Sequence, residues 1–254
     1  MTTTLIVLAH PDRRSFNGAW ANATERAATS LGHEVLTSDL RAMGFDPLDA
    51  PDQYRDWDQS RPFDPLKAHE EAVRSATLPA DVQAEMDKVR RADRIVFHFP
   101  IWWFAPPAIL KGWLDRALVH GGLHSIDKRF DTGMCKAKTA LFCATTGSSE
   151  AESAFNGKEG DIQMHLWPTA YTLRYLGFSV LAPITVHGVH GYHQGEAKVG
   201  LETRLRGVLE AQNGVMASWD SHPHLQFNSD DDFDTGGRLR PDRPSYSPFI
   251  RQAK

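Results

Sequence analysis

At 254 residues, 41% of them hydrophobic and 24% charged, the chain has the make-up of a globular protein with room for one large α/β domain or two small ones. A formal net charge of −4 and a pI near 6.3 argue against a nucleic acid or an anionic membrane as partner. Two cysteines, Cys135 and Cys143, make no disulfide framework and suit a reducing, cytoplasmic setting, and the opening MTTTLIVLAHP is expected to be neither signal peptide nor membrane span.

In chain order, residues 4–9 (TLIVLA) read as a buried first strand, and the loop HPDRRSFN follows at 10–17. A helix is predicted over 18–31, with Trp20, Ala23, Ala27 and Leu31 on one face and Gly32 as its stop. Residues 34–39 form a shorter second strand. From 41 to 78 the periodicity fails, and prolines with many aspartates describe a long surface excursion, either functional or an interface. Pro79 signals a helix leading into a central strand, Ile95 to Phe99, that Pro100 ends. Trp102, Trp103 and Phe104 stand where a polar loop is usual. Pro106 and Pro107 then open a helix whose apolar stripe carries Leu110, Trp113, Leu114 and Leu118.

Residues 139–145 form a fourth strand, ending in the small, hydroxyl-rich loop Thr145, Thr146, Gly147, Ser148, Ser149. A helix over 162–176 with Gly177 as stop, a fifth strand over 178–186 and a last helix over 196–212 complete the pattern. The remainder, residues 213–254, reads as a partly irregular extension to a domain spanning 1–212, with scattered aromatics and an end that is polar, proline-bearing and expected to be mobile. Alternating strands and helices predict a doubly wound five-stranded parallel sheet of order 2-1-3-4-5 with helices on both faces. The loops after strands one, three and four then meet at the switch point. Arg14, Ser15, Phe16 and Asn17 at a helix start suit a phosphate, aromatic rings suit a flat conjugated ligand, and TTGSS suits its polar edge. The first loop lacks the glycines of a dinucleotide fingerprint or P-loop. His187, His190 and His193 lack accompanying metal-type residues, so no metal is assigned.

LIVLAHP with SFN, FHFPIWWFAPPAILKGW, TTG followed by GD and WP, and GF before the fifth strand together resemble the flavodoxin-like NAD(P)H:quinone oxidoreductase family. The likeness runs from residue 4 to 212 and continues weakly through HPHLQF at 222–227. It implies non-covalent FAD, or alternatively FMN, with NADPH or NADH as hydride donor, a quinone-like substrate and a homodimer. By position, the resemblance assigns His10, Ser15, Phe16, Asn17 and Ala19 to the phosphates and ribityl chain. Pro100, Ile101, Trp102, Trp103 and Phe104 are assigned to the isoalloxazine and Thr145, Thr146, Gly147 and Ser148 to its polar edge. Asp115 and Lys198 fall where longer members have Glu and Arg near the adenine. Where mammalian members place a tyrosine and a histidine that stabilise charge on the reduced flavin, this chain has Ser153 and Glu159. Glu159 either points away or acts as a proton donor, or another group replaces the pair; the candidates are His124, His190, Tyr192 and His193, with Tyr192 or His193 favoured. A one-electron carrier is a poor match in size and charge, and a flavin-binding regulatory subunit docking through 41–78 is the alternative to an enzyme.

Overall fold

The computed structural model describes residues 1–253. Strands β1 (Thr3–Leu8), β2 (Glu34–Asp39), β3 (Arg94–Pro100), β4 (Thr139–Thr145), β5 (Ser179–Val180) and β6 (Ile184–Val186) form one sheet. Its order is β2-β1-β3-β4-β5, all neighbours parallel, with β6 also pairing β4. The expected flavodoxin-like order is therefore present. Crossover helices α1 (Phe16–Ser30), α3 (Ala80–Arg91), α4 (Ala108–Ala117) and α5 (Ile162–Leu176) cover the sheet, joined by α2 (Pro65–Ser75) and α6 (Gly195–Ala217).

Alternation along the strands sorts the core into two layers. Ile95, Phe97 and Phe99 of β3, with Ala140, Phe142 and Ala144 of β4, pack beneath Val82, Met86, Leu110, Trp113 and Leu173 of α3, α4 and α5. Val96, Leu141 and Cys143 point the other way, onto Trp20 and Ala27 of α1 and Met216 of α6. Both cysteines are free and buried. Among the described residues no helix is long and apolar enough to cross a membrane.

Several elements differ from the sequence reading. The excursion at 41–78 contains α2, whose N-cap Asp64 accepts the Lys67 N–H at 3.3 Å with Pro65 at its first position. Tyr54, Trp57, Ala68 and Ala72 form a small core there, so the segment is a packed annex. The fifth strand is broken: Ala182 gives its N–H to the Pro223 carbonyl (2.7 Å) and Pro183 has none, so the run splits into β5 and β6. The last helix continues to Ala217, past the expected boundary at 212. The C-terminal segment, read as ending in a mobile tail, is largely exposed over 234–253 but reaches back onto α5 through its aromatics. Phe249 stacks on Trp167 of α5 with ring centroids 6.4 Å apart, and Phe227 lies 5.1 Å from the same ring. Its aromatics bury area that a polar tail would leave in water.

Pro107 sits at the N-cap of α4 and not in its first turn, and it supplies no side-chain bond there. Gly177 does stop α5 in the left-handed conformation (φ 99°).

One buried group links the fold to pH. His98 on β3 is fully buried, with Nε2 3.0 Å from Thr24 Oγ1 and Nδ1 lacking any partner. Thr24 gives its own proton to the Trp20 carbonyl (3.2 Å), so Nε2 is the protonated nitrogen of a neutral ring. Burial pushes His98 down to about 3. The unfolded ring takes up its proton near pH 6.5 and the folded one does not, so acidification through that interval favours unfolding. Stability is expected to be complete above pH 6.5 and to fall continuously toward pH 3. Urea midpoints measured across this range should show a shallower fall in His98→Gln, and an identical slope would contradict the assignment.

Candidate active site

The switch point lies between β1 and β3, where the winding reverses. Register places Leu8 beside His98 and Pro100 beside Thr145, so the loops that follow β1, β3 and β4 leave the sheet together. The Ile101 N–H donates to the Thr145 carbonyl at 2.7 Å, which clips the second loop to the third. Asn17, 3% exposed at the start of α1, donates from Nδ2 to Thr145 Oγ1 at 2.9 Å. Its Oδ1 is buried and without a partner, a costly condition that a ligand donor would relieve.

The first loop folds tightly over its own helix. Ser15 is the N-cap of α1 and accepts the Gly18 N–H at 3.2 Å. Only glycine fits at 18, because a Cβ there would lie 2.0 Å from the Arg13 carbonyl oxygen. Arg14 is exposed and ion-paired with Asp12 at 2.7 Å, and this pairing holds the Asp12 carboxyl at about 2.

Residues 102–105 form a two-residue hairpin turn, with Trp102 N–H to Ala105 O at 2.9 Å and the reciprocal bond at 3.1 Å. Its central residues, Trp103 (φ 50°) and Phe104 (φ 63°), are both left-handed, where glycine or asparagine is usual. Such strain concentrates at functional sites. Trp103 is 93% exposed, the Trp102 ring lies 6.0 Å from His10, and Phe104 makes an edge contact with His165 at 5.2 Å.

Between this turn and Thr145, Thr146, Gly147 and Ser148 lies a cleft of about 520 Å³. Pro100 and Ile101 line its base, and Glu159, His165, Val189 and His190 complete its wall. Aromatic faces thus stand opposite hydroxyls and backbone N–H groups, a lining suited to a flat conjugated molecule with a polar edge. A Cβ at Gly147 would meet nothing within 4 Å, so the polar side is open.

Not every candidate residue meets the cleft. His10, Arg14, Ser15, Phe16 and Ala19 lie outside its lining, and Asn17 joins their loop to it through Thr145. Ser153 is buried behind the wall, its hydroxyl bonded to that of Ser148, which in turn meets Thr146 Oγ1 at 3.0 Å. Glu159 does line the cleft. Tyr192 is 88% exposed and off the lining, while His193 Nε2 meets the Gly188 carbonyl at 2.8 Å and its ring stacks on His190 at 3.9 Å. Asp115 is ion-paired with Lys111 at 2.6 Å and borders a second cleft, about 650 Å³, between α4 and α5. Lys198 is exposed on α6, 3.8 Å from Glu202. Asp115 and Lys198 are therefore not brought together with the first cleft within one chain. The sequence reading took Gly18 only as a helix start and His165 only as part of a buried helix, with no chemistry for either. The first carried a signal, a glycine in an opening helical turn; the second, one histidine in an apolar helix, carried none.

Residues 2–206 match a family model described as flavodoxin-like fold. The chain is 38% identical to NAD(P)H dehydrogenase (quinone) 1 of Rattus norvegicus over 215 residues, covering 81% of this chain and 77% of that one. The chain belongs to the flavodoxin-like NAD(P)H:quinone oxidoreductase family. Ribosyldihydronicotinamide dehydrogenase (quinone) of Mus musculus is 37% identical over 218 residues, with 82% and 92% of the two chains covered. A crystal structure of a putative quinone reductase from Klebsiella pneumoniae superposes with a TM-score of 0.84 at 29% identity, covering 95% of each chain.

For this quinone oxidoreductase homologue the strained turn gives a direct prediction. Trp103→Gly is expected to raise folding stability by up to about 1 kcal/mol, since glycine relieves the left-handed penalty at some cost in unfolded-chain entropy. Ligand affinity in the cleft should fall by about 1–3 kcal/mol through lost aromatic area. Urea unfolding and flavin titration of the same variant would show whether the two properties move in opposite directions.

Proposed function

We propose that this chain is an NAD(P)H-dependent flavoprotein that transfers two electrons to quinones or similar conjugated acceptors. The observation that carries the reading is the cleft at the carboxyl ends of β1, β3 and β4, walled by the 102–104 aromatics opposite the 145–148 hydroxyls. The residues present fit a flavin. Asn17 Oδ1 is buried without a donor beside Thr145, the start of α1 suits a phosphate, and Phe104 offers an aromatic surface to a ring system. A bound flavin supplies the chemistry of hydride acceptance from a reduced pyridine nucleotide and delivery to the acceptor. The chain's own residues orient and shield: the 102–105 turn screens one face, Thr145 and Thr146 meet the polar edge, and Asn17 holds the first loop to the fourth strand.

FAD is the proposed flavin and FMN the alternative. Asp115 and Lys198 lie away from the cleft within one chain, so the adenine contacts assigned to them would require a second copy of the chain. Exposed Trp103, Phe155 and Tyr192, and the apolar second cleft with Leu114, Trp167 and Tyr171, are surfaces that such a copy would cover. Two free, buried thiols support a cytoplasmic location.

The purified protein should be yellow, release one FAD per chain on denaturation, and oxidise NADH or NADPH rapidly when a quinone is added. Light scattering should give the mass of a dimer. A protein that stays colourless after reconstitution with both flavins overturns the reading, and flavin retention without turnover would support a regulatory subunit instead.

A further inference from the structure

Quinone reduction by hydride consumes a proton: NAD(P)H, H⁺ and quinone give NAD(P)⁺ and hydroquinone. The hydride brings both electrons and one hydrogen, which leaves an oxyanion on the acceptor that a proton donor must meet. Resting on the function proposed above, we propose that His165 on α5 is that donor. Its imidazolium gives a proton to the acceptor oxyanion, the N–H pair stays on the ring as a lone pair, and solvent at the open mouth of the cleft restores the proton.

Geometry singles out His165 among the groups present. Its ring is in the cleft wall and meets Phe104 edge-on at 5.2 Å, so it borders the cleft in which flavin and acceptor would meet. Nε2 faces Gly160, where an added Cβ would lie 3.4 Å away. Among the described residues neither ring nitrogen makes a hydrogen bond to protein, and neither is sealed from solvent. The other imidazoles nearby are engaged. His190 accepts the Tyr192 N–H on Nδ1 (3.3 Å) and stacks on His193, while His10 accepts the Asp12 N–H (3.0 Å) beyond the Trp102 ring.

Carboxylates stand close to His165 on its own segment. Glu159 lines the same wall one residue before Gly160, and Asp161 caps α5 one turn away. Lys158 is drawn off by Glu152 at 2.8 Å, and His190 is the titratable group opposite, on the loop after β6.

The test compares wild type, His165→Gln and His165→Ala, all loaded with flavin, using duroquinone as acceptor. His165→Gln should still bind flavin and have it reduced by NADPH, so that the oxidative half-reaction can be read separately. Reoxidation by saturating duroquinone should slow by about 10²–10⁴-fold in both variants, and the alkaline decline of the wild-type rate should vanish. Added imidazole should restore part of the rate in His165→Ala and none in His165→Gln. In oxidised wild-type protein carrying ¹⁵N-labelled histidine, duroquinone should perturb the His165 ring resonances. Wild-type reoxidation in both variants overturns the proposal. So does a slowed rate with an unchanged pH profile and no imidazole rescue, which would make the ring a prop for Phe104. Failure of wild type itself to bind flavin or turn over instead overturns the underlying function.

Discussion

Gly18→Ala is expected to cost most of the flavin affinity while leaving a folded protein. The added methyl would stand 2.0 Å from the Arg13 carbonyl oxygen and 2.7 Å from its carbon, backbone atoms that have no rotamer to yield. Either the 12–15 loop lifts or the first turn of α1 unwinds. Both outcomes remove the Ser15 cap and draw Asn17 from Thr145, the bond that couples the first loop to the fourth strand. Overpacking of this kind costs about 1–3 kcal/mol. Because the loop is at the protein's edge and the sheet beneath is untouched, the loss should fall on binding: about a tenfold to hundredfold rise in flavin Kd. Fluorescence titration of the apoprotein measures it, with Ala19→Gly as a control one residue on. An unchanged Kd would show that the first loop does not contribute to the site.

Glu85→Ala should give the largest loss of stability. This carboxylate is fully buried on the inner face of α3 and is saturated with donors: Ser38 Oγ at 2.6 Å, Trp113 Nε1 at 2.7 Å and Lys88 Nζ at 2.6 Å. It therefore ties β2, α3 and α4 at one point. Truncation leaves an indole N–H and a hydroxyl buried without an acceptor and the Lys88 ammonium, only 26% exposed, without its counter-charge. Breaking one side of a buried charged network costs about 3–5 kcal/mol, well above the loss of one exposed pair. Glu85→Gln keeps an acceptor for Trp113 but no charge for Lys88, so it should lie between. Urea denaturation at pH 7 gives both values, and a Glu85→Ala loss below about 1 kcal/mol would exclude the network as a fold-defining contact.

The contacts behind both predictions are not visible in the linear chain, and the reason differs from the reason that other features are. Glu85 reads as one of several acids in an ordinary amphipathic helix; its burial exists only because Ser38, 47 residues earlier, and Trp113, 28 later, converge on it. Asn17 and Thr145 are 128 residues apart. Such pairs have no periodicity, since they arise from the order in which strands assemble. The split of β5 from β6 is of the same kind: Pro183 hinted at it, but the partner that takes the Ala182 N–H is Pro223, on a segment with no strand pattern.

What the sequence determined by itself were features set by local rules. Continuous apolar runs marked β1, β3 and β4, a 3.6-residue stripe marked α4, and a left-handed glycine ended α5 at Gly177. Alternation of these elements was enough for the sheet order and for the three loops that meet at its carboxyl edge. Only the tertiary structure decided which side chains on those loops face one another. It turned His165 into the cleft against Phe104, sealed Ser153 behind Ser148, and left Asp115 and Lys198 on other surfaces. The physical reason is that hydrophobic periodicity reports the face an element buries, whereas a site depends on the ends of elements, where direction is set by contacts between segments far apart in the chain.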